Sequence, residues 1–127
     1  MKVELRAIHK SFGAVHANDG ISLTVPEGTI QGILGENGAG KSTLMKILSG
    51  FIQCDRGEIV LGEKQVTITS PADAIRHGIG MLHQDPLDFP PMTAIDNFLI
   101  GREDGGIIPD RKGALSDFNR LCEEFGF

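Results

Sequence analysis

The residues with the clearest chemical pattern are Gly35–Ser42, in the order Gly-Glu-Asn-Gly-Ala-Gly-Lys-Ser. This spacing matches the phosphate-loop motif, in which glycines let consecutive backbone N–H groups turn toward one anion. In that motif the lysine, here Lys41, reaches the β- and γ-phosphates of a nucleoside triphosphate, and the serine, here Ser42, gives its hydroxyl to Mg²⁺. A helix that begins at Lys41 would add its positive dipole end beneath the phosphates. The pattern predicts a site for a nucleotide and Mg²⁺.

A chance match is the alternative, because the chain contains 17 glycines. Typical residue frequencies produce such a match on the order of once per hundred chains of this length. The motif is meaningful between a buried strand and a helix, and the sequence predicts both. Thr29–Leu34 is mostly apolar, which is typical of a strand covered on both faces. A helix is predicted over Lys41–Ser49, with Gly50 as a left-handed C-terminal cap.

Other elements must surround this strand and helix. Alternating or apolar runs predict strands at residues 3–7, 21–25, 58–61, 65–68 and 79–82, with the third and fourth forming a hairpin. Ser70, followed by Pro71, predicts the start of a short helix that Gly78 closes. A second capped helix is predicted over Thr93–Ile100, and a third carries an apolar stripe that ends at Gly126.

Composition excludes several classes of protein. A formal net charge of -5 and a pI of about 5.3 argue against a protein that binds nucleic acid through its backbone. No apolar run has the roughly 20 residues of a membrane-spanning helix, and the first residues do not resemble a signal peptide, so we expect a cytoplasmic chain. Cys54 and Cys122 lack the close spacing of a metal or redox site and are predicted to be buried free thiols.

Three segments of the sequence resemble segments of one protein family. Gly35–Gly50 resembles the Walker A segment of ABC transporter ATPases, Asp55–Ile59 resembles the turn and strand that follow, and Gly80–Asp85 resembles the strand that ends in the Q-loop. The resemblance implies an α/β fold, a P-loop NTPase core of the ABC ATPase type with an antiparallel β subdomain. It also implies that residues 1–90 are the first part of the nucleotide-binding core and that residues 91–127 begin the helical subdomain.

The resemblance implies roles for individual residues. ATP and Mg²⁺ are the expected ligands, bound by the loop residues Gly35, Glu36, Asn37, Gly38, Ala39, Gly40, Lys41, Ser42 and Thr43. Gln84 is expected to touch Mg²⁺ and the attacking water, which makes it a metal ligand and, with Lys41, a catalytic residue. Phe12 lies where the family carries an aromatic residue that stacks on adenine. The alternatives are a loop glutamine that bonds only to backbone and a phenylalanine that only packs.

The family comparison also implies partners. The sequences of residues 70–85 and 92–103 resemble the corresponding segments of ATPase subunits from importers of simple sugars and nucleosides. Such a subunit couples ATP hydrolysis to uptake, pairs with a second ATPase subunit or domain, and lies on the inner face of the cell membrane. Transmembrane permease subunits would contact the Q-loop region and a solute-binding protein would act indirectly, with no nucleic acid partner. Residues 85–91 depart from the sequence that is more common in this loop, so the resemblance does not identify the solute.

The family's later motifs do not occur in these 127 residues: a Leu-Ser-Gly-Gly-type signature loop, a Walker B aspartate with its catalytic glutamate, and a switch histidine. We therefore expect a piece of a longer polypeptide or a truncated reading frame that binds ATP without turnover. In the family's sheet, strands from the missing part lie between the Walker A strand and the strand that leads to Gln84. Without them apolar edges would be exposed, so we expect self-association or strand exchange. A soluble ABC ATPase acting on the ribosome or DNA, or a nucleotide-binding module without turnover, are the alternative functions.

Overall fold

The chain divides into two compact units, Met1–Leu82 and His83–Phe127. The computed structural model describes residues 1–83, 89–102 and 110–127. Within those ranges, no helix has both the length and the apolar character that crossing a membrane requires. The subdomain boundary at residues 90 and 91 stays a prediction.

The first unit is built on a four-stranded antiparallel sheet with the strand order β2-β1-β3-β4. Its strands are β1 (Val3–Phe12), β2 (Val15–Val25), β3 (Arg56–Leu61) and β4 (Lys64–Val66). The antiparallel β subdomain is therefore confirmed. The hairpin of β3 and β4 is also confirmed, although β4 ends two residues before the predicted Ile68.

Helix α1 (Lys41–Leu48) supplies the other half of the core in this unit. Its buried residues Leu44 and Ile47 belong to one cluster with sheet residues such as Leu5 and Ile8. The helix ends as predicted, since Gly50 takes a left-handed φ of 76°. A Cβ on Gly50 would lie 2.3 Å from the Ser70 carbonyl oxygen, so only glycine fits between the two segments. This packing fixes the C-terminal end of α1 against the segment at Ser70.

A β-bulge interrupts β1 at Ala7. In its pairing with β2, the register of β1 shifts between Leu5 and Ile8. In its pairing with β3, the register shifts between Arg6 and His9. Ala7 has a φ of 46° and donates its N–H to the Ser22 hydroxyl at 2.9 Å. Left-handed backbone costs a residue with a Cβ roughly 1–2 kcal/mol, which glycine avoids. The bulge therefore contains strain that sequence alternation alone did not reveal.

Replacing Ala7 with glycine should raise the free energy of unfolding by about 1 kcal/mol, because the strain is removed at some cost in chain entropy. A urea titration measures this change. Ala17→Gly on β2, where φ is not positive, is the matched control and should lower stability by about 0.5–1 kcal/mol. A destabilised Ala7→Gly variant would show that the bulge is not strained.

Two predicted strands are not formed. Thr29–Leu34 and Ile79–Leu82 are irregular, and the prediction that they are buried strands is wrong for this chain. Ile30 and Leu34 are 102% and 97% exposed, and Leu82 is 97% exposed. A strand needs a neighbour for its backbone hydrogen bonds, and in the described ranges no strand pairs with either segment. Apolar composition creates the preference for a strand, but the partner decides whether one forms.

These exposed apolar segments should make the 127-residue chain self-associate. Light scattering over a range of concentrations should show mass rising above that of the monomer. An Ile30→Lys, Leu34→Lys double variant places charge on the segment and should stay monomeric. A wild-type chain that remains a monomer throughout would contradict this expectation.

Helix α2 (Pro71–Arg76) completes the first unit and begins as predicted. The Ser70 hydroxyl accepts a hydrogen bond from the Asp73 N–H at 3.2 Å. The second unit contains α3 (Ala94–Ile100) and α4 (Arg111–Phe125), and both predicted helices are confirmed. Cys54 and Cys122 are free, but each is half-buried and not fully buried as expected.

Candidate nucleotide site

The segment Gly35–Gly40 forms a loop that leads directly into α1. Gly38 and Gly40 have φ angles of 85° and 81°, a left-handed conformation that favours glycine. A turn inside the loop is closed by the Ala39 N–H, which donates to the Glu36 carbonyl at 3.2 Å. The glycines of the motif therefore allow the bends that bring the loop onto the helix.

Gly40 is also required by packing against β2. It is buried, and a Cβ there would lie 2.0 Å from the Ala17 carbonyl oxygen and 2.8 Å from Asn18 Nδ2. The Gly40 carbonyl accepts hydrogen bonds from the Leu44 N–H at 2.9 Å and from Asn18 Nδ2 at 3.2 Å. The end of the loop is thus fixed to the sheet at a single residue.

Asn18 is a contact that the sequence did not predict. It is 4% exposed, and its Oδ1 has no hydrogen-bond partner among the described residues. In the sequence Asn18 is a polar amide within a strand, and that alone does not predict a contact with the loop. The contact follows from the strand register, which places Asn18 beside Gly40. The structure therefore adds Asn18 to the residues that support the loop.

Lys41 folds back over the loop. Its Nζ donates to the carbonyl oxygens of Gly35 at 2.8 Å and Glu36 at 2.7 Å. Both acceptors are neutral, and an anionic phosphate oxygen would form stronger bonds to the same ammonium group. The predicted phosphate-binding charge is therefore held at the first residues of the loop by contacts that an anion can replace.

The N-terminus of α1 suits an anion. Gly40 is the N-cap, no side chain caps the helix within the described structure, and the first turn contains no acidic residue. The first N–H groups of a helix have no partner inside it, and the helix dipole favours negative charge there. Ser42 and Thr43 stand in this first turn, with Ser42 exposed.

Mg²⁺ fits this arrangement if it arrives with phosphates. Mg²⁺ in nucleotide sites takes one or two protein oxygens besides phosphate and water oxygens, and the Ser42 hydroxyl is such a ligand. In the part of the chain that the structure describes, no three His, Cys, Asp or Glu residues gather as a metal site of their own. The second expected ligand, Gln84, lies outside the described residues.

Phe12 lies at the hairpin end of β1 and is 49% exposed. In the register of β1 and β2, Lys10 is opposite Asn18, the residue that contacts Gly40. Phe12 is two residues further along, which is about 7 Å at the rise of a strand. The aromatic ring and the loop are therefore at the same end of the hairpin.

Comparisons with known proteins agree with this geometry. Residues 18–126 match the sequence model of a family described as ABC transporter. The chain is 46% identical over 122 residues to the xylose/arabinose import ATP-binding protein XylG of Sulfolobus acidocaldarius, covering 95% of this chain and 49% of the relative. It is 43% identical over 103 residues to the ribose import ATP-binding protein RbsA of Lacticaseibacillus paracasei, covering 81% and 21%.

Solved structures give the same result. A nucleotide-free ATP-binding cassette from an ABC transporter superposes with a TM-score of 0.74 at 35% identity, covering 91% of this chain and 45% of that one. The ADP conformation of an ATP-binding cassette gives a TM-score of 0.72 at 37% identity, covering 80% and 40%. The chain spans about a fifth to a half of the length of the two import proteins. Because the family match covers most of its residues, this chain belongs to the ABC transporter family, and it has part of the fold of the ATP-binding cassette.

Proposed function

We propose that the chain is the nucleotide-binding part of the ATP-binding subunit of an ABC importer. The observation that carries this proposal is the loop itself. A helix N-terminus that no described side chain caps, two left-handed glycines and an ammonium group meet within Gly35–Ser42. These groups match what a triphosphate needs, namely backbone donors and a cation. Ser42 would add a ligand for the accompanying Mg²⁺.

A simple sugar is the proposed solute, with a nucleoside as the alternative. The names of similar proteins support the sugar, since XylG, RbsA and the glucose import protein TsgD13 of Haloferax volcanii are import ATP-binding proteins. The proposed partners are transmembrane permease subunits, which contact the Q-loop region around Gln84, and a second ATPase subunit. A solute-binding protein acts indirectly, and the complex places this chain on the inner face of the membrane.

ATP hydrolysis by the complex requires more than phosphate binding. Phosphoryl transfer needs positioning, charge stabilisation and a residue that orients water. We assign Lys41 to charge stabilisation and Gln84 to the metal and the water. Glu36 lies in the loop, where its carbonyl contacts Lys41, and it has no role as a base in this proposal. We expect the 127 residues alone to bind ATP with phosphate release well below about 1 s⁻¹, the low end for typical enzymes.

Uptake by the native host tests the importer assignment. A host whose gene carries Lys41→Ala should lose uptake of one labelled sugar among ribose, xylose, arabinose, galactose and glucose, because transport depends on the triphosphate that Lys41 holds. A host with Lys46→Ala, which changes an exposed lysine on the same helix, is the control and should transport normally. Normal uptake of all five sugars by the Lys41→Ala host would contradict sugar import. Loss of nucleoside uptake would select the alternative.

A further inference from the structure

Asp55 contacts three consecutive residues at the end of β1. Its N–H donates to the His9 carbonyl at 2.8 Å. One carboxylate oxygen lies 2.8 Å from Lys10 Nζ, and the other accepts the Ser11 N–H at 2.7 Å. Asp55 immediately precedes β3, the neighbour of β1 in the sheet, so these contacts tie the hairpin end to a different part of the chain.

The residue that follows this contact is Phe12. Lys10, whose side chain is largely buried, places its Nζ 5.5 Å from the centre of the Phe12 ring. A cation at this distance over an aromatic face is attracted to the ring. Hydrogen bonds from the Lys10 ammonium and the Ser11 N–H lower the pKa of the Asp55 carboxyl, so it is ionised at neutral pH. Lys10 is therefore held between a carboxylate and the ring.

We propose that Asp55 is a positioning residue for the nucleotide base: through Lys10 and Ser11 it holds one face of the Phe12 ring and leaves the other face open for stacking. This inference rests on the proposed function and on the expectation from the sequence that Phe12 stacks on the base. Phe12 as a whole residue is half exposed, which is compatible with one ring face beside Lys10 and the other open to a base. Strand pairing sets the backbone at Ser11 and Phe12, opposite His16 and Val15, but does not by itself select a ring orientation.

The pairing of Lys10 with Asp55 gives Asp55 an effect on the base and not on the phosphates. The phosphate loop is held from β2 by Ala17 and Asn18, which are on the other strand of the hairpin. A change at Asp55 should thus lower affinity for a ligand that contains a base and spare one that contains phosphates alone. Simple destabilisation of the unit would weaken both ligands together.

The test is a calorimetric titration of the full chain with Mg-ATP and with Mg-inorganic triphosphate. Phe12→Leu should lower ATP affinity about tenfold and leave triphosphate affinity within about twofold, since stacking on an aromatic ring is lost. Asp55→Asn and Lys10→Met should each lower ATP affinity about three- to tenfold, again sparing triphosphate. The Phe12→Leu, Asp55→Asn double variant should bind ATP no worse than Phe12→Leu alone, because both changes act on one ring.

Asp19→Asn is the matched control. Asp19 is an exposed aspartate on β2 that pairs with His9, and its substitution should leave both affinities unchanged. The measured quantity is the ratio of ATP affinity to triphosphate affinity. If Phe12→Leu lowers this ratio but Asp55→Asn and Lys10→Met leave it at the wild-type value, this inference is overturned and the proposed function is not. An unchanged ratio in Phe12→Leu would also overturn it, by making Phe12 a packing residue. Failure of the folded wild type to bind either ligand would overturn the proposed function as well.

Discussion

Lys41→Ala should lower the affinity for Mg-ATP by about 100-fold. Hydrogen bonds to charged groups contribute about 1.5–3 kcal/mol each, and the Lys41 ammonium would bond to more than one phosphate oxygen. Among the described residues, the same ammonium bonds to the Gly35 and Glu36 carbonyls. Removing those exposed contacts should change the free energy of unfolding by less than about 1.5 kcal/mol. Titration calorimetry and urea unfolding measure the two effects separately.

Lys46→Ala is the control for charge on the same helix. Lys46 is exposed in the last turn of α1, away from the loop, and its loss should change ATP affinity by no more than about twofold. Equal affinities in the wild type and Lys41→Ala would sink the assignment of the phosphate site. An equal loss in the two variants would mean that only net charge matters.

Gly40→Ala should destabilise the first unit by about 2–5 kcal/mol. The substitution combines left-handed strain of roughly 1–2 kcal/mol with overpacking of about 1–3 kcal/mol. The new Cβ would lie 2.0 Å from the Ala17 carbonyl oxygen, and backbone on one side or the other must move. Because Gly40 is also the N-cap of α1, ATP binding should fall to an undetectable level even where the variant still folds.

Gly62→Ala separates strain from collision. Gly62 has a φ of 65° in the turn between β3 and β4, with nothing within 4 Å of an added Cβ. The Gly62→Ala variant should lose only about 1–2 kcal/mol in its free energy of unfolding and keep wild-type ATP affinity. Urea titration of both variants gives the comparison. A Gly40→Ala variant no less stable than Gly62→Ala would contradict the tight contact between the loop and β2.

Local features of this chain could be predicted from its sequence. The ends of the helices follow from residues that act on their own neighbours: Ser70 and Thr93 cap the next turn, and Gly50 and Gly126 accept left-handed backbone. The phosphate loop belongs to the same class, since its bends and its donors lie within eight residues. Interactions at short sequence separation need no knowledge of the fold.

Pairing across the chain could not be predicted in this way. Thr29–Leu34 has the composition of a central strand, yet its residues Ile30 and Leu34 stay exposed because no described strand pairs with it. Ala7 fits the alternation of β1 but sits on a bulge. In both cases a distant segment determines the outcome, and composition records only the local preference.

The supporting contacts of the site were missed for the same reason. Asn18 reaches Gly40 across 22 positions and Asp55 reaches Lys10 across 45. Neither contact can be predicted until the register of β1 with β2 and β3 is known. The motif therefore predicts which residues would touch a nucleotide, and the fold adds the contacts of Asn18 with Gly40 and of Asp55 with Lys10.

Amide chemical shifts give the most direct test of the central claim, that Gly35–Ser42 binds the triphosphate. The ¹⁵N-labelled chain would be titrated with Mg-ATP and with Mg-inorganic triphosphate. The N–H groups of Gly35–Thr43 should show the largest, saturable shifts with both ligands, because they are the expected phosphate donors. Lys41→Ala should need about 100-fold more Mg-ATP to reach the same shifts. Saturable shifts that leave Gly35–Thr43 unchanged, or no shifts in a folded wild-type chain, would contradict the account.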